Sequence, residues 1–154
     1  MRRILPQLVV GLAEGVGESD LMVRGLAAAS WSRWPGEQAG AVTGFLEAWW
    51  TQTLRTESPT SSACVVFESC VTASSSVTSW LALWDTEMSP VARRHLADSI
   101  GLWREELTSD YSPFTWWWGT EAEERAAWRE VKTWLAGRAE APVMPGDWGP
   151  DSRP

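Results

Sequence analysis

Bulky apolar residues recur along this chain at i, i+3, i+4 and i+7, the spacing that places side chains on one face of a helix. The clearest case is Val42-Thr43-Gly44-Phe45-Leu46-Glu47-Ala48-Trp49-Trp50. Thirty-five residues on, Val77-Thr78-Ser79-Trp80-Leu81-Ala82-Leu83-Trp84 repeats it, with identity at Val, Thr, Leu and Trp and an aromatic residue at Phe45/Trp80. Arg24, Leu26 and Ala27 recur as Arg94, Leu96 and Ala97, an offset of seventy, twice the first. A fixed period of this size is what stacked helical repeats leave in a sequence.

Read in order, the pattern predicts about seven helices. Leu5, Leu8, Val9 and Leu12 mark one from about residue 3 to 14, closed by Gly11, Gly15 and Gly17. Ser19-Asp20 supplies an N-cap for a second helix to about Ser32, with Val23, Leu26, Ala27 and Ser30 on one face. After the Trp34-Pro35-Gly36 turn, a third runs from about Glu37 to Arg55, with Trp49 inward and Trp50 at the edge of the stripe. Ser58-Pro59 is expected to open a fourth, packed through Ala63, Val66, Phe67 and Cys70, and Thr72–Ser76 to be its turn. The fifth carries the second copy of the motif to about Met88. Ser89-Pro90 then caps a sixth to about Leu107, with Ala92, Leu96, Ile100, Trp103 and Leu107 inward. A loop through Pro113 separates it from a last helix over about Thr120–Gly137, opened by a Thr120/Glu123 capping box and packed through Ala127, Val131, Trp134 and Leu135. Residues 1–137 therefore read as a single domain of helical repeats. Residues 138–154, rich in Pro and Gly, read as an extended or disordered tail.

The Asp20-x-x-Val23-Arg24-x-x-Ala27 spacing resembles the first helix of a short HEAT-type repeat. Pro90, Arg94 and Ala97 carry part of that pattern again, with Arg93 where valine is expected. The resemblance covers roughly residues 19 to 107. It implies an all-α fold of stacked antiparallel helix pairs, either a right-handed solenoid or a compact helical bundle, and a curved surface offered to a partner.

Charge narrows the partner. The chain has 13 basic and 20 acidic residues and a net charge of −7, with Lys132 the only lysine. No basic stripe appears, which argues against a general nucleic-acid binder. No apolar run approaches the ~20 residues of a membrane span. The start Met1-Arg2-Arg3 and the apolar run after it have the flavour of a signal peptide, but Pro6 and Gln7 interrupt that run. Cys64 and Cys70 lie six residues apart on one expected helix, roughly 9 Å along its axis, too far to bridge. Two buried free thiols suit a reducing cytoplasm.

No phosphate-binding glycine loop, nucleophile elbow or metal-ligand run occurs, so no catalytic residue, metal or cofactor is expected. His95, the only histidine, is expected on the solvent side of its helix, beside an Asp98–Arg94 pair. The carboxylates near Glu105 and Glu121 interleave with arginines as on a solvated face. The residues that do suggest function are aromatic. Of the 13 tryptophans, Trp49, Trp80, Trp84, Trp103 and Trp134 fall on inward faces. Trp116-Trp117-Trp118 cannot all do so, because three successive helical positions sweep roughly 200°.

The expectation is a cytoplasmic, non-enzymatic protein–protein interaction module, a scaffold or adaptor, with an immunity- or antitoxin-like protein as one form of it. Its binding residues would be Phe114, Trp116, Trp117 and Trp118, with Trp50, Asp85, Arg93 and Arg94 on neighbouring faces. Two alternatives stay open. One is a nucleic-acid-binding or base-acting helical-repeat protein using Arg24, Arg55, Arg93 and Arg94. The other is a capping part of a larger repeat assembly. For the tryptophan segment itself, the competing reading is that it folds back to plug the open end of the stack. Changing Trp116, Trp117 and Trp118 each to Phe is expected to remove most iodide-quenchable tryptophan emission. Unchanged quenching would make that segment a structural plug.

Overall fold

The computed structural model describes residues 19–109, 111–114 and 119–139, and every regular element among them is helical. The expected helix over 3–14 lies outside the described residues, as does the expected 138–154 tail from residue 140 on; Arg138 and Ala139 belong to the last helix and not to the tail. In order, the elements are α1 (Ser19–Ala28), a 3-10 turn (Trp31–Arg33), α2 (Gly36–Arg55), α3 (Ala63–Ser74), α4 (Thr78–Thr86), α5 (Pro90–Leu102), α6 (Arg104–Thr108) and α7 (Glu121–Ala139).

Alpha-3 is the centre. It packs against α1, α2, α4 and α5, and nine of its twelve residues are buried. The four positions expected inward are a minority of that set. A helix apolar nearly all round belongs inside, and α3 has little intrinsic tendency to be helical: Val65, Val66, Val71 and Thr72 all lose side-chain freedom there. Its neighbours stabilise it through packing. Its start is set by Ser62, whose Oγ accepts from the Val65 amide at 3.4 Å. Ser58-Pro59 therefore precedes the helix instead of opening it. At its end Ser75 takes the left-handed conformation (φ 52°), turning the chain into α4.

Phe67 joins the layers. Its ring centroid lies 5.6 Å from those of Trp50, Trp84 and Trp103 and 6.4 Å from that of Phe114. Trp128 of α7 extends the cluster, 5.8 Å from Trp103 and 5.9 Å from Phe114, and Trp134 stacks near Trp84 at 5.5 Å. The two copies of the sequence motif meet here. Val42 and Val77, and Leu46 and Leu81, are all buried, and Trp50 meets Trp84 edge-on at 5.0 Å.

The ring that enters the core from α2 is Trp50, not Trp49. Trp50 is fully buried and donates Nε1–H to the Trp80 carbonyl at 3.1 Å, whereas Trp49 is half-buried against Phe45. Alpha-5 is likewise turned from its expected face. Ala92, His95, Ser99 and Trp103 are buried, Leu96 is half-buried and Ile100 is exposed.

The caps read from sequence hold at α5 and α7. Ser89 Oγ accepts from the Ala92 amide at 3.2 Å. The Thr120 amide donates to Glu123 Oε2 at 2.7 Å while the Glu123 amide donates to Thr120 Oγ1 at 3.3 Å, a reciprocal capping box. The Thr120 amide and hydroxyl both donate to Glu123 Oε2, and they hold that carboxyl below its ordinary range. Both cysteines are free and buried.

Phe67→Ala should destabilise the fold by about 3–5 kcal/mol, a large share of the stability of a typical domain. Urea unfolding of the variant and the parent checks this. A shift below about 1 kcal/mol would mean that the ring cluster does not hold the layers together.

Candidate functional site

The sequence-expected binding residues do not form one surface. Trp116, Trp117 and Trp118 lie outside the described residues. Phe114 and Trp50 are core: they are 2% and 0% exposed and stack on Phe67. Neither ring can reach a partner without opening the domain, so both are core residues and not the contact residues expected from the sequence.

Asp85 is half-exposed but engaged. It accepts from Trp134 Nε1 at 3.1 Å and forms an ion pair with Arg138, whose guanidinium also lies 3.7 Å above the Trp134 ring centroid. This is a clamp holding α7 on α4, with the cation–π contact and the ion pair sharing one arginine. Arg93 and Arg94 are exposed on α5. The arginines proposed for nucleic-acid contact are not a shared free patch, because Arg55 is held by Glu87 through two bonds of 2.7 and 2.6 Å. The hydrogen bond from Arg55 holds the Glu87 carboxyl below its ordinary range.

A groove of about 240 Å³ runs between α5 and the segment leading into α3. Its apolar side includes Leu102, 63% exposed, and Pro59. Glu57 and Asp98 supply carboxylates, and no cationic side chain is among the described lining residues. The expected Asp98–Arg94 pair is not formed, and neither Asp98 nor Glu57 has an ion-pair partner among the described residues. Both carboxylates therefore remain available to a ligand.

His95 lies in the wall of this groove, 7% exposed, not on the solvent side. Its Nε2 is 2.8 Å from the Thr56 carbonyl oxygen. A carbonyl only accepts, so Nε2 carries the hydrogen, and in the neutral ring Nδ1 is the acceptor. The Ser99 hydroxyl donates to the His95 carbonyl at 2.8 Å, which lets a polar pair occupy a buried face of α5.

Cys64, His95 and Asp98 line the same groove, a set of residue types that invites comparison with thiol catalysis. The geometry does not support it. The Cys64 thiol donates to Glu68 Oε1 at 3.0 Å, and Trp103 Nε1 donates to the same oxygen at 2.9 Å. Burial first, and then the Glu68 carboxylate, push the thiol far above its ordinary range. A reactive cysteine needs the opposite setting, with cationic neighbours that favour thiolate. Nor do the carboxylates and His95 converge on a cation: among the described residues no group of three or more His, Cys, Asp or Glu side chains is placed to hold a metal ion.

Sequence reading missed this groove because its parts are scattered. Glu57 and Pro59 precede α3, Cys64 lies on it, and Asp98 and Leu102 lie on α5. The one legible hint was Leu102, an apolar residue off every predicted stripe.

Compared with known proteins, the chain matches no family model, and no curated protein or solved structure is significantly similar to it. No helix among the described residues is long and apolar enough to cross a membrane.

Burial and protonation make one outcome definite for the thiols. Cys64 and Cys70 should react slowly with a water-soluble disulfide reagent at pH 8 in the native protein and fast only after unfolding. A rapid native phase lost in Cys64→Ser would overturn the assignment of a protonated, shielded thiol.

Proposed function

We propose that this protein is a non-enzymatic protein-binding module, and that the α3/α5 groove takes a segment of a partner protein carrying a basic side chain beside an apolar one. The observation that carries this reading is the pairing of two unpartnered carboxylates, Glu57 and Asp98, with an exposed Leu102 along one groove. An exposed leucine alone means little, but one at the edge of a formed depression is the usual shape of an anchor pocket. The carboxylates select a cation, and the net charge of −7 draws a basic partner from a distance.

On this reading the HEAT-type spacing of α1 and α5 describes a scaffold that keeps the groove rigid. A small acidic chain built this way suits neutralisation of a basic protein, which is the immunity- or antitoxin-like form of the proposal. The chemistry of the groove supports binding over catalysis, since its thiol is shielded and its imidazole is tied to the backbone.

A random peptide library displayed against the full chain tests the proposal. Enriched peptides should place Lys or Arg next to Leu, Ile, Phe or Met. A synthetic copy should bind at least tenfold more weakly to Asp98→Arg/Leu102→Glu and should weaken as salt rises. Enrichment of acidic peptides, or equal binding to that variant, would sink the groove as the docking site.

A further inference from the structure

We infer that the outer face of α7 is a second docking site, of opposite charge, for an acidic peptide segment. Arg125, Arg129 and Lys132 project along one face at i, i+4 and i+7 and, with Ala122 and Trp128, line a groove of about 310 Å³. No carboxylate is among its described lining residues. In a chain with seven more acidic than basic residues, three cations on one groove run against the overall charge.

These cations are not used up inside the fold. Arg129 donates only Nε, to the Arg125 carbonyl at 3.3 Å, and forms no ion pair among the described residues. Arg125 pairs with Glu121 at 3.4 Å, but both side chains are more than half exposed. Such a pair is worth little and exchanges readily for a better carboxylate. Lys132 is steered rather than neutralised: its Nζ donates to the Ser109 carbonyl at 3.3 Å, which brings the ammonium to the inner wall of the groove. Two forked guanidinium groups and one ammonium form a row of carboxylate acceptors' natural partners.

Three features favour an acidic peptide over other anions. The strip from residue 125 to 132 is ~10 Å long by the helical rise. Alternate side chains of an extended peptide repeat every ~7 Å on one face, so two carboxylates fit the row, whereas a single phosphate meets only part of it. Trp128 closes the groove floor but is 1% exposed and stacked on Trp103 and Phe114, so it offers no free ring face for a nucleic-acid base. The net charge of −7 also opposes a long polyanion, whose affinity depends on many phosphate contacts, more than a short acidic segment.

The probe is a fluorescein-labelled ten-residue peptide alternating Glu and Gly, titrated into the full chain by anisotropy at low salt. Saturable binding is expected. It should weaken at least tenfold in Arg125→Glu/Arg129→Glu/Lys132→Glu and about threefold in Arg129→Gln, which keeps size and helix propensity should the triple variant unfold. Asp98→Arg/Leu102→Glu should leave it unchanged, which separates failure here from failure of the α3/α5 groove. Absence of binding, equal binding to Arg129→Gln and the triple variant, tighter binding of a thymidine oligonucleotide of equal charge, or full displacement by millimolar inorganic phosphate would each overturn the proposal.

Discussion

The burial of α3 on nearly every side is the constraint on which the other helices depend. A helix with nine of twelve residues buried has no solvated face to lean on, so its neighbours must arrive from several directions at once. Phe67 shows how they do. Around it sit rings from α2, α4, the α5–α6 junction and the loop before α7, each within 6.4 Å of its centroid. Aromatic residues suit this arrangement because tilted and edge-on contacts let helices cross at varied angles without leaving voids.

Tryptophan brings a second requirement, because a buried indole N–H must find an acceptor. Eight of the nine tryptophans among the described residues do so. Several of these bonds join elements distant in sequence: Trp31 to the Ala73 carbonyl at 2.6 Å, Trp50 to that of Trp80, and Trp128 to that of Glu106 at 3.2 Å. Three of the acceptors, the Ala29, Ala73 and Glu106 carbonyls, lie in or just after the last turn of a helix, where carbonyls lack helical partners. The indoles thus fill the core and tie off helix ends together, which accounts for much of the tryptophan content without any appeal to binding.

That double role explains what was legible in the sequence. Over residues 19–139 the six expected helices and most of their boundaries followed from the apolar period, except that the sixth is divided at Trp103 into α5 and α6, and the Ser89 and Thr120 caps followed from local chemistry. Periodicity could not decide between Trp49 and Trp50, because adjacent tryptophans differ by ~100° on a helix and the choice went to the ring whose N–H reached the Trp80 carbonyl. The same limit affected α5. Hydropathy favoured Leu96 and Ile100 as inward residues, yet His95 and Ser99 are buried because the Thr56 and His95 carbonyls satisfy them. Long-range acceptors leave no trace in a sequence window. The α3/α5 groove was hidden for a related reason, since its residues come from two stretches of chain some thirty positions apart.

The distribution of charge follows from the same construction. Where α2 meets the end of α4, Arg55 and Glu87 are paired, and where α7 meets α4, Arg138 and Asp85 are paired. Charges at these junctions serve the joining of helices and are removed from the set available to a ligand. Among the charges left unpaired, besides Arg93 and Arg94 exposed on α5, are Glu57 and Asp98 beside Leu102 in one groove, and Arg129 with its weakly held neighbours along another. Net charge averages over these surfaces and reports only the excess of acid. On the proposed reading, the carboxylates of one groove and the cations of the other would let a fold built on one buried helix hold two differently charged segments at once.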